Sequence, residues 1–151
     1  MTDRIHLQGH ARCSPQALWR ALVEDRAAWW PDMEFAAHPG APLQERWMED
    51  GQEHIASGTV LAVAPDRLLS FRWSATGWEA HTVVSFELTP AAGSGAGGTG
   101  NDGGATDVEV TESGFAALKS GAALSEAHRE GWAFHLANLI EQAEKQPGPL
   151  R

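Results

Sequence analysis

The spacing of apolar residues along the chain predicts an opening strand, two short helices, a series of strands and one long final helix. Residues 5–11 alternate between apolar and polar, which is typical of a half-buried strand. Ser14-Pro15 has the form of a helix N-cap followed by proline in the first turn, and apolar residues at helical spacing continue to Leu22. A second short helix is predicted from Asp25 to Trp30, where Pro31 ends it.

In the middle of the chain the apolar period changes from that of a helix to that of a strand. Leu43, Glu45 and Trp47 share one face of the first strand here, and Asp50-Gly51 is a strong signal for a two-residue hairpin. Further strands are predicted at about 53–63, 69–73, 83–88 and 106–113. Because turns separate most of these strands, we expect an antiparallel meander.

A glycine-rich segment from 91 to 105 separates the last two predicted strands and holds seven of the sixteen glycines. Gly93, Gly95 and Gly98 have the spacing of a dinucleotide-binding motif. That motif requires a following helix whose N-terminus receives the pyrophosphate, whereas a strand follows here. We therefore predict a flexible hairpin loop and no cofactor.

The clearest helix is predicted from about 122 to 145. An apolar stripe along it is formed by His128, Trp132, His135, Leu136, Leu139 and Ala143. Gly131 lies inside this helix, although glycine costs about 1 kcal/mol there relative to alanine. We therefore expect a neighbouring element to pack closely against the backbone at Gly131.

Composition and charge narrow the range of partners. The chain has 151 residues, and its 11 basic and 20 acidic residues give a formal net charge of −9. This charge repels phosphate backbones and anionic lipid, so we expect neither nucleic-acid binding nor membrane insertion. The opening residues have no apolar leader and the one cysteine, Cys13, fits a reducing compartment, so a cytoplasmic single-domain protein is expected.

The predicted elements follow the order of the helix-grip arrangement, β-α-α-β(5-6)-α. In this α+β fold a curved antiparallel sheet wraps round a long C-terminal helix. Several segments carry a family resemblance in the expected order: SPQALW (14–19), GTV (58–60), PDRLLSFRW (65–73), TVVSFELTP (82–90), ESGF (112–115) and GW (131–132), with Leu136 and Leu139. On these segments the chain resembles bacterial members of the family named after the activator of Hsp90 ATPase, in the START-like (SRPBCC) superfamily. The resemblance implies one domain over residues 1–146, with residues 147–151 as a tail.

The resemblance also implies a general role, which is to bind an apolar or amphipathic small molecule in a cavity between sheet and helix. Some members of the superfamily are cyclases or hydrolases. In eukaryotic proteins of the family name, a second domain helps docking onto the chaperone, and we expect no such module here. Chaperone activation is therefore kept as an alternative rather than as the main prediction.

Eight residues are predicted to line this cavity, because they lie on the inward faces of the strands or on the stripe of the last helix. They are Trp47, Phe71, Trp73, Phe86, Glu112, Trp132, His135 and Leu136. For each aromatic residue taken singly, ordinary core packing gives the same pattern. The aromatic side chains would supply apolar contact to a ligand, while Glu112 and His135 would orient or titrate its polar end.

Glu112 is the most informative of these residues, because strand alternation places it on the apolar face of Val108 and Val110. It could be a cavity acid or base with a raised pKa, or it could orient a polar group of the ligand. Equally, its carboxylate could reach solvent at the strand end or pair with a nearby His or Arg. His135 on the apolar stripe is more often a core histidine than a base.

The spacing of the histidines and the position of the cysteine along the sequence give little reason to predict metal binding or nucleophilic catalysis. His128 and His135 would lie roughly 10 Å apart along a helix, too far to share one zinc ion. Cys13 precedes a helix N-terminus but has no evident histidine partner, so a structural role is predicted. The sequence thus favours small-molecule binding, with no assigned catalytic or metal-binding residue. An enzyme of cyclase or hydrolase type that uses Glu112 and His135 is the first alternative, and a chaperone or other protein-interaction module is the second.

Overall fold

The computed structural model describes residues 4–75, 77–91 and 104–145. In chain order the elements are β1 (Arg4–Ala11), α1 (Pro15–Val23), α2 (Arg26–Trp29), β2 (Met33–Phe35), β3 (Pro42–Glu49), β4 (Gln52–Ala64), β5 (Leu68–Ala75), β6 (Thr82–Pro90), β7 (Thr106–Ser113), a 3₁₀ turn (Phe115–Ala117) and α3 (Gly121–Lys145).

The strands form one antiparallel sheet in the order β1-β7-β6-β5-β4-β3-β2. Strands β2 to β7 follow one another as a meander, and β1 pairs at the far edge with β7, where Arg4 lies opposite Ser113. The long helix α3 packs against this sheet and against α1. The architecture confirms the predicted helix-grip fold.

Local sequence signals explain where several elements begin and turn. The Ser14 hydroxyl accepts a hydrogen bond from the Ala17 N–H at 3.1 Å and caps α1, with Pro15 in the first turn. Asp50 and Gly51 both have positive φ, as a type I′ turn between β3 and β4 requires. The helix cap and the hairpin thus confirm the predictions made for them.

Among the described strands, β2 is the one that the pattern of apolar residues does not predict. It has three residues, Met33–Phe35, and pairs with β3 so that Met33 lies opposite Glu45. Three residues are too few to show a period of two, so its position is fixed by pairing with β3 rather than by its own pattern.

The strands β5, β6 and β7 direct alternate side chains into the core. In β7 the buried positions are Thr106, Val108, Val110 and Glu112, which confirms the predicted alternation. At one position the strands approach so closely that only glycine fits: a Cβ at Gly58 of β4 would overlap the backbone carbonyl of Arg72 in β5.

Residues 92–103 of the predicted glycine-rich loop and the tail 147–151 lie outside the described residues, and the domain limits stay a prediction.

Candidate functional site

A cavity of about 620 Å³ lies between α3 and the part of the sheet formed by β3, β4 and β5. The sheet and the turn after β5 contribute Glu45, Trp47, Glu49, His54, Ala56, Trp73, Ala75 and Trp78. The helix contributes Leu124, Ala127, His128, Gly131, Trp132, Phe134 and His135. Four of the seven tryptophans of the chain therefore line one space, and this volume falls in the range of small-molecule sites.

Behind two of these tryptophans lies the fully buried carboxylate of Glu112. Its Oε2 accepts hydrogen bonds from Trp73 Nε1 at 2.9 Å and Thr82 Oγ1 at 2.5 Å. Its Oε1 accepts from Trp132 Nε1 at 2.7 Å and His128 Nδ1 at 2.8 Å. Four donors from β5, β6 and α3 thus converge on one side chain of β7.

These contacts decide the charge state of Glu112. Burial by itself would raise the pKa of this carboxyl, but the hydrogen bond and charge of His128, with the hydrogen bonds from Thr82 and Trp73, hold the pKa below its ordinary value. The direction is opposite to the raised pKa considered from the sequence. Glu112 is an ionised carboxylate that fixes the orientation of Trp73 and Trp132 in the cavity wall.

A second cluster, around Trp30, joins the end of α2 to the same cavity. The Trp30 ring stacks on His135 with centroids 4.2 Å apart, and its Nε1 donates to Glu45 Oε2 at 2.9 Å. The Nδ1 atom of His135 is buried and has no hydrogen-bond partner in the described part of the chain. Burial lowers the pKa of His135 to about 4, against an opposing effect of Asp32, so its imidazole is neutral at neutral pH.

Glu45 is one of two carboxylates, with Glu49, that β3 contributes to the cavity wall. Burial raises its pKa and Asp32 adds to the rise, while the hydrogen bond from Trp30 and the charge of His128 act in the lowering direction. Its Oε1 atom has no hydrogen-bond partner among the described residues. This oxygen is therefore available to a ligand.

The structure divides the eight predicted site residues into two groups. Trp47, Trp73, Trp132 and His135 line the cavity. The other four lie in the core beneath its wall and do not line it: Phe71, Phe86, Glu112 and Leu136. The role of all eight in ligand binding stays a prediction. The imidazole that bonds Glu112 is that of His128, which confirms the pairing with a nearby histidine considered for this carboxylate.

Sequence reasoning did not single out six polar or aromatic residues that line the cavity, namely Glu45, Glu49, His54, Trp78, His128 and Phe134. A signal existed for two of them. Glu45 shares a strand face with Leu43 and Trp47, and His128 begins the apolar stripe of α3, so each is a polar group on an inward face. No comparable pattern marks His54, which stacks on Trp47 across the β3–β4 hairpin, or Trp78, which follows a turn.

Gly131 differs from the expectation drawn from its sequence. A Cβ built at this position would meet no atom within 4 Å, so no element packs closely against the backbone there. The glycine instead forms part of the cavity wall on α3. The missing side chain leaves open space for a ligand.

Within the described residues we also looked for a metal site, a reactive cysteine and a membrane-spanning helix. No group of three or more His, Cys, Asp or Glu side chains in those ranges could hold a metal ion. Cys13 is buried beside α1, and its backbone carbonyl accepts a hydrogen bond from Thr106. None of the helices within residues 4–75, 77–91 and 104–145 has the length and apolar character needed to cross a membrane.

Comparison with known proteins gives one family and a set of similar folds. The family model described as Activator of Hsp90 ATPase homolog 1-like protein matches residues 12–144. Protein MLL2253 of Mesorhizobium loti has a TM-score of 0.75 at 21% identity, over 95% of this chain and 98% of its own. The Aha1 dimer of Colwellia psychrerythraea, solved in solution, has a TM-score of 0.69 at 19% identity, over 96% and 98%.

A third similar structure is DynU16, from the dynemicin biosynthetic locus, with a TM-score of 0.70 at 22% identity. The match covers 96% of this chain and 48% of DynU16, so the chain spans about half the length of that protein. At these identities the likeness shows a shared fold. No curated protein matches the sequence.

Proposed function

The chain belongs to the family of Activator of Hsp90 ATPase homolog 1-like proteins, and we propose that it binds a small lipophilic or aromatic molecule in the cavity between β3–β5 and α3. The observation that carries this proposal is the convergence of Trp47, Trp73, Trp78 and Trp132 on one space of about 620 Å³. Indole rings offer large apolar contact area and lose little conformational entropy when a ligand binds.

The wall is also organised before any ligand arrives. Trp73 and Trp132 stack at 5.8 Å between centroids, and each indole N–H is held by the buried carboxylate of Glu112. Binding therefore does not have to order these two side chains, and affinity is not reduced by that cost.

The proposal is tested with N-phenyl-1-naphthylamine, a neutral aromatic probe whose fluorescence rises in apolar surroundings. We expect saturable binding to the wild-type protein and a loss of about tenfold or more in Gly131→Leu, because the new side chain occupies the open space in the wall. Ala133→Leu is the matched control, since it adds the same leucine side chain at an exposed position of α3 outside the cavity.

Equal probe affinity in wild type, Gly131→Leu and Ala133→Leu would refute binding in this cavity. Native mass spectrometry of freshly purified protein, followed by solvent extraction, gives an independent measurement. We expect an adduct of small-molecule mass at one per chain.

The hydrogen bond between Glu112 and His128 favours a second candidate function, which is proton transfer at His128. The ionised carboxylate accepts from Nδ1, so in the neutral imidazole Nε2 is the acceptor nitrogen, and it has no partner among the described residues. A carboxylate that orients a histidine in this way is the arrangement of many general bases. This candidate replaces the pair of Glu112 and His135.

Nitrobenzisoxazole tests this candidate because a base need only remove its ring C–H proton. The C–H electron pair then forms the nitrile, the N–O bond breaks, and a coloured cyanonitrophenolate is released. We expect the wild type to exceed the rate of free imidazole at equal concentration, and His128→Phe to lose that excess. His54→Phe, which removes a cavity histidine without a carboxylate partner, should retain it. A wild-type rate no higher than that of imidazole would refute the candidate.

A further inference from the structure

We propose that this cavity selects a positively charged ligand, an organic ammonium ion with an aromatic or aliphatic body, and that Glu45 receives the charged end. The inference rests on the proposed function and adds to it the charge class of the ligand. Three observations on the described residues support it: the charges of the wall, the free oxygen of Glu45, and the indole faces around it.

The wall of the cavity has carboxylates and no permanent cation. Glu45 and Glu49 line it, and among the described residues that do so there is neither lysine nor arginine. Directly behind the wall lies the ionised carboxylate of Glu112. Three histidines also line the cavity. His135 is neutral at neutral pH because burial lowers its pKa to about 4, His128 donates its Nδ1 hydrogen to Glu112, and His54 stacks on Trp47.

This distribution of charge acts on a ligand in opposite ways according to its sign. A carboxylate or sulfonate placed in the cavity would face two glutamates, with neither lysine nor arginine among the described lining residues to pair with. An ammonium ion would be attracted by the same groups, and the attraction is strengthened where water is excluded. The net charge of −9 acts in the same direction at longer range.

Glu45 is the residue best placed to receive the charge. The hydrogen bond from Trp30 fixes its Oε2, whereas Oε1 has no partner in the described part of the protein. Burial disfavours the ionised form of this carboxyl and so raises its pKa. An adjacent ammonium group would favour that ionised form again and would supply the missing partner.

The aromatic lining suits the same class of ligand. The face of an indole ring attracts a cation through its quadrupole, and tryptophan does so more strongly than the other aromatic residues. Trp47, two residues along β3 from Glu45, stacks on His54, and Trp73 of β5 lines the same cavity. Carboxylate and indole faces together distinguish this cavity from one that would hold a neutral or acidic lipid.

Three naphthalene compounds of similar size test the inference by displacement of N-phenyl-1-naphthylamine. They are the cationic 2-naphthylmethylammonium, the neutral 2-naphthylmethanol and the anionic 2-naphthoate. We expect the ammonium compound to bind about tenfold more tightly than the alcohol, and the carboxylate about tenfold more weakly.

Two carboxylate-to-amide variants locate the charge effect. Glu45→Gln keeps an oxygen that accepts from Trp30. It should bring the affinity of the ammonium compound close to that of the alcohol. The affinity of the alcohol itself should stay unchanged within about twofold. Glu53→Gln is the matched control, because Glu53 is an exposed residue of β4 that pairs with Arg46 and does not line the cavity. It should retain the full preference for the cation.

The outcomes separate this inference from the proposed function. If the alcohol displaces the probe as well as the ammonium compound does, the cavity binds aromatic molecules and the inference about charge is wrong. A preference for the cation that survives Glu45→Gln unchanged would overturn the assignment of Glu45. If the probe and all three compounds fail to bind, both the proposed function and the inference are refuted.

Discussion

Nδ1 of His128 donates a hydrogen bond at 2.8 Å to Oε1 of Glu112, a carboxylate with no exposed surface. With Trp73, Thr82 and Trp132, this bond gives Glu112 four donors, and each of its oxygens accepts two. A buried charge is tolerated when its hydrogen-bonding capacity is filled in this way.

We expect Glu112→Gln to lower the free energy of unfolding by about 1–3 kcal/mol or more. Thr82 and His128 can each become acceptors for the new amide, but the indole N–H of a tryptophan can only donate. Whichever way the amide turns, Trp73 or Trp132 loses its acceptor. Chemical denaturation measures the effect, and Glu109→Gln on the same strand is the control, because Glu109 is partly exposed and should change stability by less than about 0.5 kcal/mol.

The same logic predicts a non-additive double variant. Trp132→Phe removes one indole donor, so in Glu112→Gln/Trp132→Phe the amide can face residue 132 and His128 without leaving any indole unpaired. We expect the double variant to lose about 1–2 kcal/mol less than the sum of the two single losses. Additive losses in a denaturation cycle would show that the orphaned indole is not the source of the penalty.

The stability of the protein should depend on His135 between pH 6.5 and 4. Burial lowers the pKa of this histidine from 6.5 to about 4, so within that window the unfolded chain binds a proton that the folded chain does not. The contribution of His135 to stability is complete above pH 6.5 and is lost as the pH falls through the window.

His135→Phe keeps a ring to stack on Trp30 and removes this titration. Between pH 7 and pH 5 the variant should lose about 2 kcal/mol less stability than the wild type, as measured by denaturation at each pH. The matched control is His81→Phe at an exposed histidine. A wild-type pH dependence in His135→Phe would contradict the buried neutral state.

Two glycines should respond to alanine in opposite directions. Gly131→Ala should raise the free energy of unfolding by about 1 kcal/mol, because alanine favours helix and nothing lies within 4 Å of its Cβ. Gly58→Ala should lower it by about 3 kcal/mol or more, because the added carbon would overlap the Arg72 backbone. Thermal denaturation of both variants gives the comparison, and destabilisation by Gly131→Ala would mean that this wall of the cavity is not open.

The sequence was sufficient for the fold because alternation and helical spacing are local signals. The predicted helix from 122 to 145 corresponds to Gly121–Lys145, and the hairpin at Asp50-Gly51 follows from turn chemistry alone. The structure confirms the order of the elements that the family resemblance implied. The short strand β2 was not predicted, because its conformation depends on pairing with β3.

The candidate site was less predictable, since an inward-facing side chain can lie either at the cavity surface or one layer beneath it. Trp73 and Phe71 share a strand face, yet Trp73 lines the cavity and Phe71 does not. Which histidine reaches Glu112 depends on the rotation and position of α3 against β7, and periodicity along one helix does not specify that. Small-ligand binding, chaperone interaction and the absence of nucleic-acid binding stay predictions.

The pairing of the first strand with the last has a consequence for how the chain folds. Gln8 of β1 donates to Glu109 of β7, which is 101 positions later in the chain. During synthesis β1 therefore has no strand partner until nearly the whole domain has left the ribosome, and its edge of the sheet is completed last. Contacts so distant in sequence slow folding, so we expect folding within milliseconds to seconds rather than microseconds.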